Sequence, residues 1–177
     1  MSYTLEAFCK DTRDILKADA SPAGVERVRR NMERLVRDAA FMDRHFGADM
    51  KPGAQRIHVD PELGFEVLAY RAPKTRTSPA HDHGDSWALY AQVKDYTEMT
   101  EWERTDDGSD PDHATLAVQR KYKLNPGEVG VYWGSQLHST YTPENCCYLR
   151  VTGTDLEKRP RVRIDQDTGK VMRQDGA

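Results

Sequence analysis

The chain has 177 residues, of which 37% are hydrophobic and 31% charged, so it is long enough for one soluble domain with a hydrophobic core. A formal net charge of -3 argues against a nucleic-acid-binding surface, and no apolar run approaches the length of a membrane span. The N-terminus lacks the basic and then apolar pattern of a signal peptide, and three cysteines do not make a disulfide framework. We therefore expect a cytoplasmic protein without membrane or nucleic-acid partners.

Residues 1–50 predict two helices. A short amphipathic helix is indicated by apolar residues at helical spacing, namely Leu5, Phe8, Ile15 and Leu16. Ser21 then provides an N-cap, and Pro22 suits the first position of a second helix. The apolar stripe of this second helix runs from Val25 to Phe46, and Gly47 is a suitable stop.

From residue 51 the pattern changes to about seven short strands separated by turn residues. The residues from Asp155 onwards are predicted to form a charged tail. No repeat or linker divides the chain, so we expect one α+β domain over residues 1–177 that is mainly β. It would consist of a helical lead-in (1–50), a β-barrel or sandwich (51–154) and a C-terminal tail (155–177).

Two histidines, His81 and His83, are separated by one residue. On a strand both would point to the same face, because side chains alternate with a period of two, and two imidazoles can hold one divalent metal. His138 is the third candidate ligand, since it ends a segment (126–138) that consists of a turn, a strand and a second turn. Three neutral imidazoles leave coordination positions open for water, dioxygen or substrate.

These two segments resemble the two motifs of the cupin family. The first motif usually has a glutamate and then a glycine after His-x-His, and here those positions fall at Ala88 and Asp95. A three-histidine site without the glutamate resembles the thiol dioxygenases, the cysteine and mercaptopropionate dioxygenase group of cupins. The resemblance implies a cupin-type jelly-roll barrel behind N-terminal helices. It also implies a mononuclear iron(II) centre that oxidises a small thiol to a sulfinate with dioxygen. Imidazole ligands suit nickel, zinc and copper as well, and manganese stays open.

Two arginines are candidate binders of an acidic substrate. Arg56 lies at about the position of an arginine that binds the substrate carboxylate in cysteine dioxygenases, although it could equally be a surface residue at a strand start. The family has a Ser-x-His-x-Tyr relay on the strand after the third ligand, whereas this chain has Tyr148-Leu149-Arg150-Val151-Thr152. Arg150 could bind a carboxylate or phosphate at two points, or form a salt bridge. Tyr148 shares its strand face and could replace part of the relay.

Three further residues are candidates for the substrate pocket, namely Trp87, Tyr90 and Gln92. They flank the first motif, and a bulge near Gly84 would turn Tyr90 and Gln92 inward. Large side chains at such positions also fit a hydrophobic core, so both interpretations stay open.

The expected function is that of a metal-dependent cupin which resembles thiol dioxygenases and acts on a small thiol or organic acid with dioxygen. Because the relay is replaced, we expect cysteine to be a poor substrate, and a different small organic acid or an aromatic thiol to be preferred. Two alternatives stay open. One is a cupin lyase, isomerase or other oxygenase that acts on a small acid. The other is a non-enzymatic cupin that binds or senses a ligand. The sequence does not name the substrate, and it leaves the oligomeric state open, a homo-oligomer included.

Overall fold

A computed structural model describes residues 2–176, which form three helices followed by twelve strands. The helices are α1 (Leu5–Ala18), α2 (Pro22–Leu35) and α3 (Ala39–Phe46). The strands are β1 (Gly53–Val59), β2 (Glu66–Arg71), β3 (Arg76–Thr77), β4 (Ala80–His81), β5 (Ala88–Lys94), β6 (Thr97–Arg104), β7 (Leu116–Leu124), β8 (Val129–Tyr132), β9 (His138–Thr142), β10 (Cys147–Thr152), β11 (Arg161–Ile164) and β12 (Val171–Gln174).

The strands form two antiparallel sheets. One has five strands in the order β1-β2-β10-β5-β8, and the other has seven, in the order β12-β11-β4-β9-β6-β7 with β3 beside β9. Both sheets follow the helices in the chain. The predicted fold class, mainly β with a two-sheet barrel behind N-terminal helices, is confirmed.

The helices cover one face of the five-stranded sheet. The buried residues of this layer come from helices and strands alike and include Phe8, Val25, Met32, Leu35, Val67, Leu89, Leu149 and Val151. Because side chains alternate along a strand, the residues between these strand positions point to the other face, into the barrel. Tyr90 and Arg150 belong to this second set, and they are direct partners across β5 and β10.

The helical lead-in differs from the prediction, because the second predicted helix is two helices. The side chain of Asp38 accepts a hydrogen bond from the Phe41 N–H at 3.0 Å and caps α3. Before that cap, the Asp38 N–H donates to the Leu35 carbonyl and closes the turn after α2. The apolar stripe continues across this break, so hydrophobic periodicity alone does not reveal it.

The predicted charged tail also differs from the structure. Residues 156–158 form a short 3-10 helix, and the two following strands then extend the seven-stranded sheet, since β11 pairs with β4 and β12 pairs with β11. Ile164 and Val171 are buried in a cluster with Ala80 and Ala114. The strands within residues 161–174 are therefore part of the barrel, and residue 177 of the predicted tail lies outside the described residues.

Two further observations concern membrane-spanning helices and the cysteines. Within residues 2–176, no helix combines the length and the hydropathy needed to cross a bilayer. All three cysteines (Cys9, Cys146 and Cys147) are buried and unpaired.

Candidate metal centre

The three predicted ligands lie together inside the barrel. His81 ends β4 and is the direct cross-strand partner of His138, the first residue of β9. His83 follows β4, and the potential ligand atoms of the three side chains lie within 4.8 Å of one another. His83 and His138 are fully buried, with 1% and 0% of their surfaces exposed, whereas His81 is partly accessible. A single ion could therefore contact all three imidazoles.

Backbone contacts hold the two motifs together. The His83 N–H donates to the Gly134 carbonyl at 3.0 Å. A Cβ at Gly134 would lie 2.5 Å from the Gly84 carbonyl oxygen, and one at Gly84 would lie 2.5 Å from that of Pro160. Both glycines are therefore needed for close approach of the backbones. Asp95 adopts a φ of 60°, which aspartate tolerates better than most residues.

Asp82, between the two first ligands, connects the centre to the C-terminal strands. Its Oδ1 accepts a hydrogen bond from the Val162 N–H of β11 at 3.0 Å and one from the Gly84 N–H at 3.3 Å. Its side chain thus supports the loop that carries His83, as expected for a residue on the opposite strand face from the ligands.

The hydrogen bonds of the imidazoles leave nitrogen atoms free for a ligand. Nδ1 of His81 lies 3.0 Å from the Pro79 carbonyl, and Nδ1 of His138 lies 3.3 Å from the Gln136 carbonyl. Because a carbonyl only accepts, these nitrogens carry the protons, and Nε2 of each ring is left with a lone pair. Nε2 of His138 and Nδ1 of His83 are buried and have no hydrogen-bond partner within residues 2–176. Such orphaned polar atoms are costly unless something binds them.

The protonation state also fits a metal. Burial, followed by repulsion from the other two imidazoles, lowers the pKa of His83 to about 2, and burial, followed by repulsion from His81, lowers that of His138 to about 3. Burial likewise lowers the pKa of His81. All three rings are thus neutral near pH 7, which is the form that binds metals. The donor set matches a divalent transition metal that accepts nitrogen ligands.

A cavity of about 180 Å³ adjoins the centre, and His81 forms part of its wall. Tyr90, Tyr148 and Arg150 reach it from the five-stranded sheet. The other lining residues are Tyr70, Ala72, Arg76, Ser78, Pro79, Thr97, Thr140, Thr142, Arg161 and Arg163. Of the residues predicted from the sequence, the structure therefore brings Tyr90, Tyr148 and Arg150 together beside the histidines.

Aromatic side chains connect the cavity to the ligands. The hydroxyl of Tyr90 lies 3.5 Å from Nε2 of His83, and the two rings are stacked with centroids 6.1 Å apart. Tyr148 stacks on Tyr70 at 4.7 Å, and burial raises the pKa of Tyr148. Tyr132 is completely buried, and its ring lies 4.6 Å from that of His138. These rings fix the orientation of two ligands.

Three residues predicted for the site lie outside the cavity wall. Arg56 is on the edge strand β1 with 48% of its side chain exposed, and its Nε lies 3.2 Å from Glu66 Oε1, so its charge is already paired. Trp87 packs against the core beneath the helices, because it shares the strand face of Leu89. Gln92 is buried but uses its amide within the barrel, where it donates to the Lys94 carbonyl and accepts from the Thr97 hydroxyl.

Sequence reasoning missed most of the arginines in the wall. Arg161 and Arg163 alternate with Val162 and Ile164, which face the opposite side in the C-terminal apolar cluster. This alternation is a strand signal, but its polar face would ordinarily be assigned to solvent. Arg76 lies on the two-residue strand β3, which is too short to give any periodic signal.

The fold and the site together define a mainly β, two-sheet protein whose three-histidine group could hold a metal ion. Among solved structures, the chain is similar to KdgF from Halomonas sp., with 18% identity, a TM-score of 0.41 and coverage of 59% of this chain and 82% of that one. It is also similar to a cupin-2 domain-containing protein from Shewanella frigidimarina, with 13% identity, a TM-score of 0.43 and coverage of 63% and 89%.

A third similar structure is hydroquinone 1,2-dioxygenase from Sphingomonas sp. TTNP3 with 4-hydroxybenzoate bound. It has 11% identity, a TM-score of 0.43 and coverage of 62% of this chain and 71% of that one. No protein-family model matches the sequence, and no curated protein is significantly similar to it. The chemistry of the site's own residues therefore carries the functional conclusion.

Proposed function

We propose that this protein is a cupin-type oxygenase of the cytoplasm that holds one iron(II) at His81, His83 and His138 and oxidises a small organic acid, thiols included, with dioxygen. The observation that carries the proposal is the convergence of three neutral imidazoles beside a cavity that also contains the guanidinium of Arg150. Iron(II), when bound, would supply the redox chemistry that dioxygen requires. The resemblance of the two histidine motifs to thiol dioxygenases supports this choice of metal and reaction.

Arg150 is the residue we assign to the acid group of the substrate. It lines the cavity, and no carboxylate forms a salt bridge with it among the described residues. Guanidinium binds carboxylate through two parallel hydrogen bonds, which fixes the orientation of a small ligand as well as its position. The remainder of the substrate would then lie towards His81 in the same cavity.

Two tyrosines add hydroxyl donors to the pocket. Burial raises the pKa of Tyr148, so its hydroxyl stays protonated near pH 7 and can donate a hydrogen bond to a bound anion. Tyr90 is directly opposite Arg150 in the sheet, and its hydroxyl lies close to His83. In the thiol dioxygenase relay a tyrosine hydroxyl lies beside the iron, and we assign Tyr90 to that role here.

Oxygen uptake by iron-loaded protein tests this function. The substrates would be cysteine, 3-mercaptopropionate, an aromatic thiol such as 2-mercaptobenzoate, and thiol-free small acids. We expect slow uptake with cysteine, because Arg150 and Thr152 replace the relay, and faster saturable uptake with another acid. Protein carrying His81→Ala is the metal-depleted control. Fast uptake with cysteine would show that the relay is dispensable and that cysteine is a substrate.

A metal-dependent lyase or isomerase of a small acid is the second candidate. Arg150 and Tyr148 favour it, because a fixed cation and a protonated hydroxyl can bind an acid without any role for dioxygen. Absence of oxygen uptake with every compound, at full iron occupancy, would count against the oxygenase. Conversion of an acid under anaerobic conditions would then support the lyase or isomerase, whereas binding without conversion would indicate a ligand-binding protein.

A further inference from the structure

The wall of the cavity is strongly cationic. Four arginines line it (Arg76, Arg150, Arg161 and Arg163), and none of the lining residues is an aspartate or glutamate. Arginines that form salt bridges within residues 2–176 lie elsewhere, such as Arg56, Arg104 and Arg173. The four wall arginines have no such partner among the described residues, so their charges are available to a ligand.

Two of these arginines are at the inner part of the cavity. Arg150 and Arg161 are both half-buried, and they come from different sheets. Nη2 of Arg161 donates to Gln174 at 3.1 Å, but its Nε is buried without a partner among the described residues. Burial, followed by repulsion from Arg163 and Arg150, lowers the pKa of Arg161. The repulsion between these guanidinium groups costs free energy, and so does the buried Nε that has no acceptor. An anion bound between the arginines would offset the repulsion and accept a hydrogen bond from Nε.

The other two arginines are exposed at the rim of the same cavity. Arg163 is the direct cross-strand partner of His81, so its side chain shares the face of a metal ligand. Arg76 is the direct partner of Thr142, which also lines the cavity. Two half-buried and two exposed arginines therefore surround one small volume.

We propose that the natural ligand is a small molecule with two anionic groups, one bound by Arg150 and Arg161 and the other by Arg76 and Arg163. A single carboxylate would offset only one of the four charges, whereas two anionic groups, carboxylate, phosphate or sulfonate, would engage both pairs. The cavity volume of about 180 Å³ restricts the ligand to a compact molecule. This inference rests on the proposed function, because it names the class of acid that the same site would oxidise.

Calorimetric titration with matched pairs of acids tests the inference. The metal-loaded protein is titrated with succinate and butyrate, and with malonate and propionate, so that each pair differs mainly by one carboxylate. We expect each diacid to bind at least about 10-fold more tightly than its partner. The metal-free protein should show the same preference, because arginines cause it.

Single substitutions test which arginines bind each anionic group. Arg163→Gln and Arg76→Gln should each weaken succinate about 10-fold or more while changing butyrate less than about 3-fold. Arg150→Gln and Arg161→Gln should weaken both acids. Arg173→Gln is the matched control, because Arg173 lies on the adjacent strand β12 and its Nη1 lies 3.6 Å from Asp112 at the surface. It should change neither affinity.

The outcomes separate this inference from the function on which it rests. Equal affinity for succinate and butyrate would overturn the two-anion ligand and leave oxidation of a simple acid intact. A preference for succinate that survives both Arg163→Gln and Arg76→Gln, or disappears equally in Arg173→Gln, would overturn the assignment of the rim pair. Absence of binding by all four acids, in protein with one metal per chain, would overturn both the ligand class and the small-acid function.

Discussion

Arg163 on β11 and His81 on β4 are direct partners in the seven-stranded sheet, and both line the cavity. Residues directly opposite each other in an antiparallel pair project to the same side. The last strands of the chain therefore place a cation next to a candidate metal ligand. Arg161 lies two residues earlier on the same strand face and also lines the cavity.

The first prediction tests whether these C-terminal strands belong to the stable core. Ile164 has 2% of its surface exposed, so Ile164→Ala should lower the free energy of unfolding by about 2–5 kcal/mol through lost burial and a residual cavity. Met172 on β12 is 42% exposed, and Met172→Ala should cost less than about 0.5 kcal/mol. Urea unfolding of both variants measures the difference. Equal, small effects would mean that the C-terminal strands are not part of the cooperative fold.

Part of the site could be predicted from sequence because its signals are local. His81 and His83 are related by the period-two spacing of a strand, and Pro126-Gly127 with the later glycines marks the turns before His138. Arg161 and Arg163 carry a strand signal but no local signal of a site, since their strand joins the barrel through contacts across long sequence separations. The Val162 hydrogen bond to Asp82, for example, spans 80 residues.

The interior of this barrel also reverses the usual assignment of polar side chains. Hydrophobic patterning assumes that polar residues face water, which holds for strands that cover a dry core. Arg150 and Arg161 instead face an internal cavity. Arg56, by contrast, lies outside the cavity wall. It pairs with the carboxylate of Glu66 and not, as the family resemblance would imply, with the substrate.

The second prediction concerns the ligand set. His81→Ala should weaken metal binding by more than about 10-fold, because two imidazoles hold a divalent ion less well than three. The fold should persist, since the main apolar core lies beneath the helices on the other face of the five-stranded sheet. His45→Ala on α3 is the control and should keep its metal. Metal analysis and circular dichroism check both variants, and full occupancy in His81→Ala would remove His81 from the ligand set.

The third prediction concerns the acid-binding arginine. Arg150→Gln should weaken binding of a small carboxylic acid by about 10- to 100-fold, the equivalent of a charge-assisted hydrogen bond worth about 1.5–3 kcal/mol. Arg150→Lys should recover only part of this, because an ammonium group cannot make the planar two-point contact. Arg56→Gln is the matched control and should leave the affinity unchanged, since its guanidinium pairs with Glu66 outside the cavity wall. A larger loss in Arg56→Gln than in Arg150→Gln would reverse the assignment.

The fourth prediction concerns the pH dependence of the metal-free protein. The pKa values of His83 and His138 are lowered to about 2 and 3 in the folded state, against about 6.5 in an unfolded chain. Between these values the unfolded chain binds protons that the folded chain does not, so acid favours unfolding. Their contribution to stability is complete above about pH 6.5 and decreases as the pH falls, by up to about 1.4 kcal/mol per pH unit for each histidine.

Urea unfolding of the metal-free protein between about pH 7.5 and 5 measures this slope. His83→Gln should reduce this slope by up to about 1.4 kcal/mol per pH unit, because the unfolded variant has one fewer histidine to protonate. A wild-type stability that does not change over this range would contradict the neutral, buried state of the imidazoles.

X-ray absorption at the metal edge of the iron-loaded protein tests the central claim most directly. A centre built from His81, His83 and His138 predicts about one iron per chain, with three imidazole nitrogens at about 2.0–2.2 Å in its first coordination shell. Failure to bind a stoichiometric metal would contradict the account. So would a first shell that contains sulfur from a protein cysteine, or fewer than three imidazoles.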